Sequence, residues 1–175
     1  MSSWSALSIA VPLSVGLGLS FNSFRRSSSS WHNQLRKPKY NIPHRHLLPV
    51  FAGLYTIQGL AAYLASNEMM LSHHTPEYTA VRAGQLGLGF YWLGLTFLAF
   101  WPMIIASSAG FGGWGLRWAL VDLVVAVGFE FLAMVQFFRL GVGGGLMMLA
   151  CFLVLAALAL WNAALVQAGG LFLPY

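Results

Sequence analysis

The chain has 175 residues, 58% of them hydrophobic and only 7% charged, with a formal net charge of +5. Soluble domains carry about 25% charged residues, so a surface this apolar suits a bilayer and not water. That composition predicts an integral membrane protein of a single domain over residues 1–175 and leaves no soluble domain to present a nucleic-acid surface.

A hydrocarbon core about 30 Å thick takes roughly 20 helical residues to cross. Five segments meet that length: residues 4–22, 46–66, 80–106, 117–139 and 144–168. None shows the apolar–polar alternation of barrel strands, and the predicted fold is an all-α, five-transmembrane-helix bundle. The first segment lacks a positively charged flank and is followed by SFNSF, a poor cleavage site. It reads as an uncleaved helix and not as a signal peptide.

The connections read as loops. Residues 23–45 hold the polar tract RRSSSSWH and two prolines, and residues 67–79 are acidic without Lys or Arg. Residues 107–116, SSAGFGGWGL, read as a glycine-rich turn, and GVGGG at 141–145 as a tight link between the last two helices. Neither glycine cluster follows a strand or supplies a Walker lysine, so no phosphate site is expected. The seven Trp and six Tyr suit the interfacial belts.

Charge then sets the orientation. Arg25, Arg26, Arg36, Lys37, Lys39, Arg45 and Arg117 fall on one side of such a bundle, and Arg82 and Arg139 on the other. The positive-inside bias places the first side, with the C-terminus, in the cytosol. The basic cluster therefore follows from topology and needs no anionic partner.

Few residues invite metal or covalent chemistry. His44 with His46, and His73 with His74, lie on opposite sides of the predicted bundle, and neither pair has nearby Cys or clustered acids. No four-ligand metal site and no nucleophilic triad is expected, and no catalytic residue is assigned. Cys151 sits alone in an apolar run and reads as packing.

Topology does not require the order Trp31, Leu35, Lys37-Pro38, Tyr40 and Pro43, nor Pro49-Val50, Leu54-Tyr55, Gly59 and Tyr63-Leu64 after it. This cadence resembles the TspO/MBR family, the translocator proteins or peripheral-type benzodiazepine receptors. The family pattern is W-x-x-x-L-x-K-P-x-W-x-P-P, then P-V-W-x-x-L-Y-x-x-M-G-x-x-x-Y-L. The resemblance extends through Trp101-Pro102, WALVDL from Trp118 to Leu123, and Asn162, covering residues 31–164. Pro38 and Pro43 would stiffen the first loop into a lid by fixing φ. Tyr55, Gly59 and Tyr63 recur every four residues and share one helical face.

The resemblance implies a receptor or carrier that binds porphyrins, haem or sterols among its helices, with no obligatory cofactor. Carried over by position, the ligand-binding residues are Trp31, Leu47, Leu48, Val50, Phe51, Tyr55, Trp101, Trp118, Val121, Val125, Leu158, Trp161 and Asn162. The implied partners are the lipid bilayer, a tetrapyrrole or sterol-like molecule, and a second copy of the chain. The third helix, however, has Gly84, Gly87, Gly89 and Gly94 without a G-x-x-x-G spacing. The implied membrane is the mitochondrial outer membrane in a eukaryote and the cell envelope in a bacterium.

The chain departs from the family pattern at informative places. Phe51 and Val154 replace two tryptophans that bacterial relatives associate with light-dependent porphyrin degradation, which argues against an enzyme. Leu98 replaces an asparagine, and LWNAALVQAGG stands where animal members carry a sterol-associated segment. The fourth helix carries two carboxylates. Asp122 is near one end, free to reach the interface or a neighbouring helix, whereas Glu130 is near mid-membrane, where relatives have a small residue. An acid there costs about 2.5–3.5 kcal/mol on insertion scales. Arg139 points the opposite way around the same helix. Glu130 is therefore expected to be protonated or to face Gln or Trp donors from another helix, the alternative being a shifted register in which it snorkels outward. Two alternatives to a receptor remain at this point: porphyrin photo-oxidation, and proton-coupled transport through Glu130.

Overall fold

A computed structural model of the chain describes residues 10–26, 42–72, 78–111 and 113–168. Among them every regular element is helical. A π-helical turn at Pro12–Gly16 leads into α1 (Leu17–Arg26), followed by α2 (His44–Ser72), α3 (Tyr78–Phe111), α4 (Gly113–Leu140) and α5 (Val142–Gln167). Trp31, Lys37, Pro38 and Tyr40, which carry the predicted lid, lie outside the described residues, as do His73 and His74.

Four of the five helices are long and apolar enough to cross a membrane: His46–Leu71, Val81–Ile105, Trp114–Leu140 and Val142–Gln167. In the first segment the described residues, 10–26, are helical and run past the predicted end at residue 22, to Arg26. The chain is an integral membrane protein with four spans of this kind among its described residues.

The helices also run past their predicted ends. Helix α2 continues through six residues expected in the second loop, and α3 reaches Phe111 and α4 begins at Gly113, where a ten-residue turn was expected over 107–116. Likewise Gly141 alone interrupts α4 and α5, and Val142 to Gly145 are helical. Glycine disfavours helix in water, but at a membrane boundary the helix is what satisfies the backbone donors and acceptors. Pro49 and Pro102 sit inside α2 and α3 for the same reason.

Small polar residues close their own bonds along the helices. Ser14, Thr56, Ser66 and Thr96 each donate a hydroxyl to the carbonyl four residues earlier, at 2.6 to 2.8 Å. In lipid this removes a donor that nothing outside the helix would satisfy.

Packing fixes the directions of the helices. Gly87 lies against Phe137 and Phe97 stacks on Phe129 at 5.8 Å, so α3 and α4 are antiparallel. Phe131 packs on Phe152 at 5.7 Å across α4 and α5. Helix α2 presents the buried seam Ala61, Ala62 and Ala65, and Gly144 of α5 abuts its backbone. Such small-residue seams let helices approach where no hydrophobic effect drives them together.

The first helical segment is held by one close fit. A Cβ on Gly16 would lie 2.6 Å from the Tyr55 ring, and Ser20 of α1 meets the Tyr55 hydroxyl at 3.5 Å. Gly16→Val is therefore expected to overpack this contact and destabilise the fold by about 1–3 kcal/mol. Thermal unfolding of detergent-solubilised protein would register this as a lowered midpoint. An unchanged midpoint would show that the α1–α2 contact bears no weight.

Candidate ligand-binding site

The antiparallel packing brings the start of α2, the end of α3, the start of α4 and the end of α5 to one end of the bundle. Most residues singled out by sequence lie at that end. From α2, Leu47, Phe51 and Tyr55 are buried, whereas Leu48 and Val50 are half-buried. Phe51 stacks on Trp101 of α3 at 5.4 Å with an interplanar angle of 13° and leans on Tyr55 at 6.0 Å. From α5, Leu158, Trp161 and Asn162 are buried in the same core.

The polar atoms of this group are unusual for a core. The indole nitrogens of Trp101 and Trp161, and both amide atoms of Asn162, are buried without a hydrogen-bond partner. A buried polar group left unpaired costs about 1–3 kcal/mol, so each is a handle for an incoming ligand. Together they present two fixed indole donors and one carboxamide that both donates and accepts.

A second part of the site opens on the other side of α4. An apolar cavity of about 620 Å³ lies between α3 and α4, bounded by Phe97 and Ile104 on one side and by Trp114, Trp118, Val121, Asp122 and Val125 on the other. Its size falls within the range of small-molecule pockets, about 300–1,000 Å³. Asp122 is its one charged group, and the carboxyl oxygen Oδ2 is buried without a partner. At the mouth, Arg117 lies 5.5 Å from the Trp114 ring centroid, a cation–π contact at the helix end.

The structure thus divides the sequence-derived residues in two. Trp118, Val121 and Val125 line the α3–α4 cavity, and Trp118 is 62% and Val121 52% exposed. The α2, α3 and α5 residues occupy the core instead. Trp31 lies outside the described residues. Phe97, Ile104 and Trp114 were missed by the sequence reading. Their signal was helical spacing, with Phe97 seven residues before Ile104 and Trp114 four before Trp118.

Glu130 lies deeper, eight residues or about 12 Å along α4 from Asp122. It is fully buried and accepts a hydrogen bond at Oε1 from Nε2 of Gln58, on α2. Arg139 instead reaches Gln136 at 3.4 Å. Among the described residues no three His, Cys, Asp or Glu side chains come together in a way that could hold a metal ion.

Residues 8–168 match the sequence profile of the TspO/MBR family. The chain belongs to the TspO/MBR family. Among curated proteins it is similar to the translocator protein of Sus scrofa, with 31% identity over 99 residues, 56% of this chain and 50% of that protein. The human translocator protein is 34% identical over 98 residues, again 56% of this chain and 50% of the relative. This TspO/MBR chain thus spans about half the length of the curated relatives it matches. No solved structure matches it. Family membership and the apolar helices together make it an integral membrane protein.

Proposed function

We propose that this TspO/MBR protein is a membrane receptor or carrier that binds flat hydrophobic ligands, with porphyrins and haem favoured over sterols, without a covalent step. The observation that carries this reading is the set of unpaired polar atoms on Trp101, Trp161 and Asn162 in an aromatic core. Their level on the bundle coincides with the α3–α4 cavity and its lone carboxyl oxygen on Asp122. A few placed polar groups in an apolar enclosure suit a planar ligand with polar edges. The names of the pig and human relatives, both translocator proteins, agree with a binding or transport role.

Under this reading the first loop and the C-terminus face the cytosol, the first helical segment completes a five-span bundle, and Trp31 belongs to a lid over the site. The membrane is the mitochondrial outer membrane in a eukaryote or the cell envelope in a bacterium. A second copy of the chain is the expected protein partner.

Photo-oxidation of porphyrin is the competing reading, and two positions speak against it. Phe51, which replaces one tryptophan, is a ring without indole redox chemistry stacked on Trp101. Val154, which replaces the other, is 40% exposed on α5. The two readings separate in one experiment. Purified protein is mixed with protoporphyrin, and tryptophan quenching in the dark is compared with pigment loss under light. Saturable quenching with no protein-dependent bleaching is expected. Bleaching accelerated by the protein would establish the enzyme instead.

A further inference from the structure

The Gln58–Glu130 contact joins α2 to α4 in the interior of the bundle, and both residues are fully buried. Its bonding is half complete. Gln58 donates Nε2–H to Glu130 Oε1, while Gln58 Oε1 and Glu130 Oε2 are both buried without a partner. These two leftover atoms are both acceptors when the carboxyl is ionised, so they cannot satisfy each other. One proton removes the mismatch. A carboxylic acid and a primary amide can form two parallel hydrogen bonds, amide N–H to acid carbonyl and acid O–H to amide carbonyl.

Among the described residues no cation lies close enough to the carboxyl to offset its charge. Gly94 of α3 leaves room for the carboxyl, with a Cβ at that position 3.4 Å from Oε1. Tyr91 of α3 and Cys151 of α5 are the other titratable groups close enough to interact electrostatically with Glu130, and neither carries positive charge. Arg139 is engaged by Gln136 on its own helix. The polar pair does not depend on whatever ligand the other end of the bundle takes.

We propose that Gln58 and Glu130 form a one-proton binding site that closes a two-bond acid–amide ring between α2 and α4. The bound species is a proton on Glu130 Oε2, donated to Gln58 Oε1. No metal ion or second ligand is involved.

Infrared difference spectroscopy of protein reconstituted in liposomes at neutral pH tests this, with Asp122→Asn as background so that Glu130 is the one acid left in α4. The expected result is a carboxylic-acid carbonyl band that shifts in D2O, disappears in Glu130→Gln, and moves in Gln58→Leu as the acid loses its amide partner. Glu130→Gln can remake both bonds as an amide pair and is expected to keep the wild-type melting midpoint, so a lost band is not a lost fold. A carboxylate band assigned to Glu130 at neutral pH would overturn the proposal. So would an acid band unmoved by Gln58→Leu, which would place the proton outside the ring.

Discussion

Truncating Trp101 to alanine is expected to destabilise the protein by about 3–5 kcal/mol, the range for emptying a buried aromatic site. The indole is fully buried, stacks on Phe51, and belongs to a core drawn from α2, α3, α4 and α5, so no single neighbour can collapse into the space. Trp101→Phe separates packing from polarity. It keeps a ring against Phe51 and changes stability by less than about 1.5 kcal/mol, because the substituted ring conserves most of the shape. The same change removes the free Nε1 donor. If that donor meets the ligand, dark protoporphyrin binding weakens by about five-fold, the worth of one hydrogen bond near 1 kcal/mol. Thermal unfolding and fluorescence titration on the two variants check both halves. Equal affinity for wild type and Trp101→Phe would remove Trp101 from the site and leave it a packing residue.

The second large effect concerns Gln58 and Glu130. Gln58→Leu leaves a buried carboxyl without its donor and is expected to cost about 2–3 kcal/mol, the penalty of orphaning a buried polar group. Replacing both members, Gln58→Leu with Glu130→Leu, removes the polar groups together and should recover most of that loss. The double-mutant cycle is therefore expected to show a coupling energy of about 1–3 kcal/mol, measured by denaturation in a fixed detergent. Additive effects would mean that the two side chains do not depend on each other.

Helix content was the legible part of the sequence, because lipid admits little else: every backbone donor and acceptor must be paired within the segment or the protein. Helix ends were less legible. The run SSAGFGG carries the composition of a turn, yet α3 continues to Phe111 and α4 begins at Gly113. Turn propensities describe competition with water, and a bilayer weakens that competition. Leu47, Phe51, Tyr55, Trp101, Leu158, Trp161 and Asn162 carry a family pattern and lie buried at one end of the bundle. Trp118 and Val121 carry the same pattern and lie on an exposed face of α4. Periodicity could not separate the two groups, since a helix in lipid is apolar on its outer face as well as its inner one. Nor could sequence name Gln58 as the partner of Glu130: 72 positions separate them, and only the parallel placement of α2 beside α4 joins them.

A ligand site at this end of the bundle requires the unpaired polar atoms to be the ligand's contacts and not defects of packing. Asn162 decides this most directly, because Asn162→Leu keeps the branched heavy-atom skeleton and leaves all seven tryptophans as reporters. Removing two unsatisfied atoms from a buried site should leave stability equal or raised. Dark titration with protoporphyrin should then show saturable quenching in wild type and an affinity lowered by about ten-fold in Asn162→Leu, equivalent to roughly 1.4 kcal/mol. Identical saturable curves for the two proteins, or no quenching in either, would contradict a ligand site built on these residues.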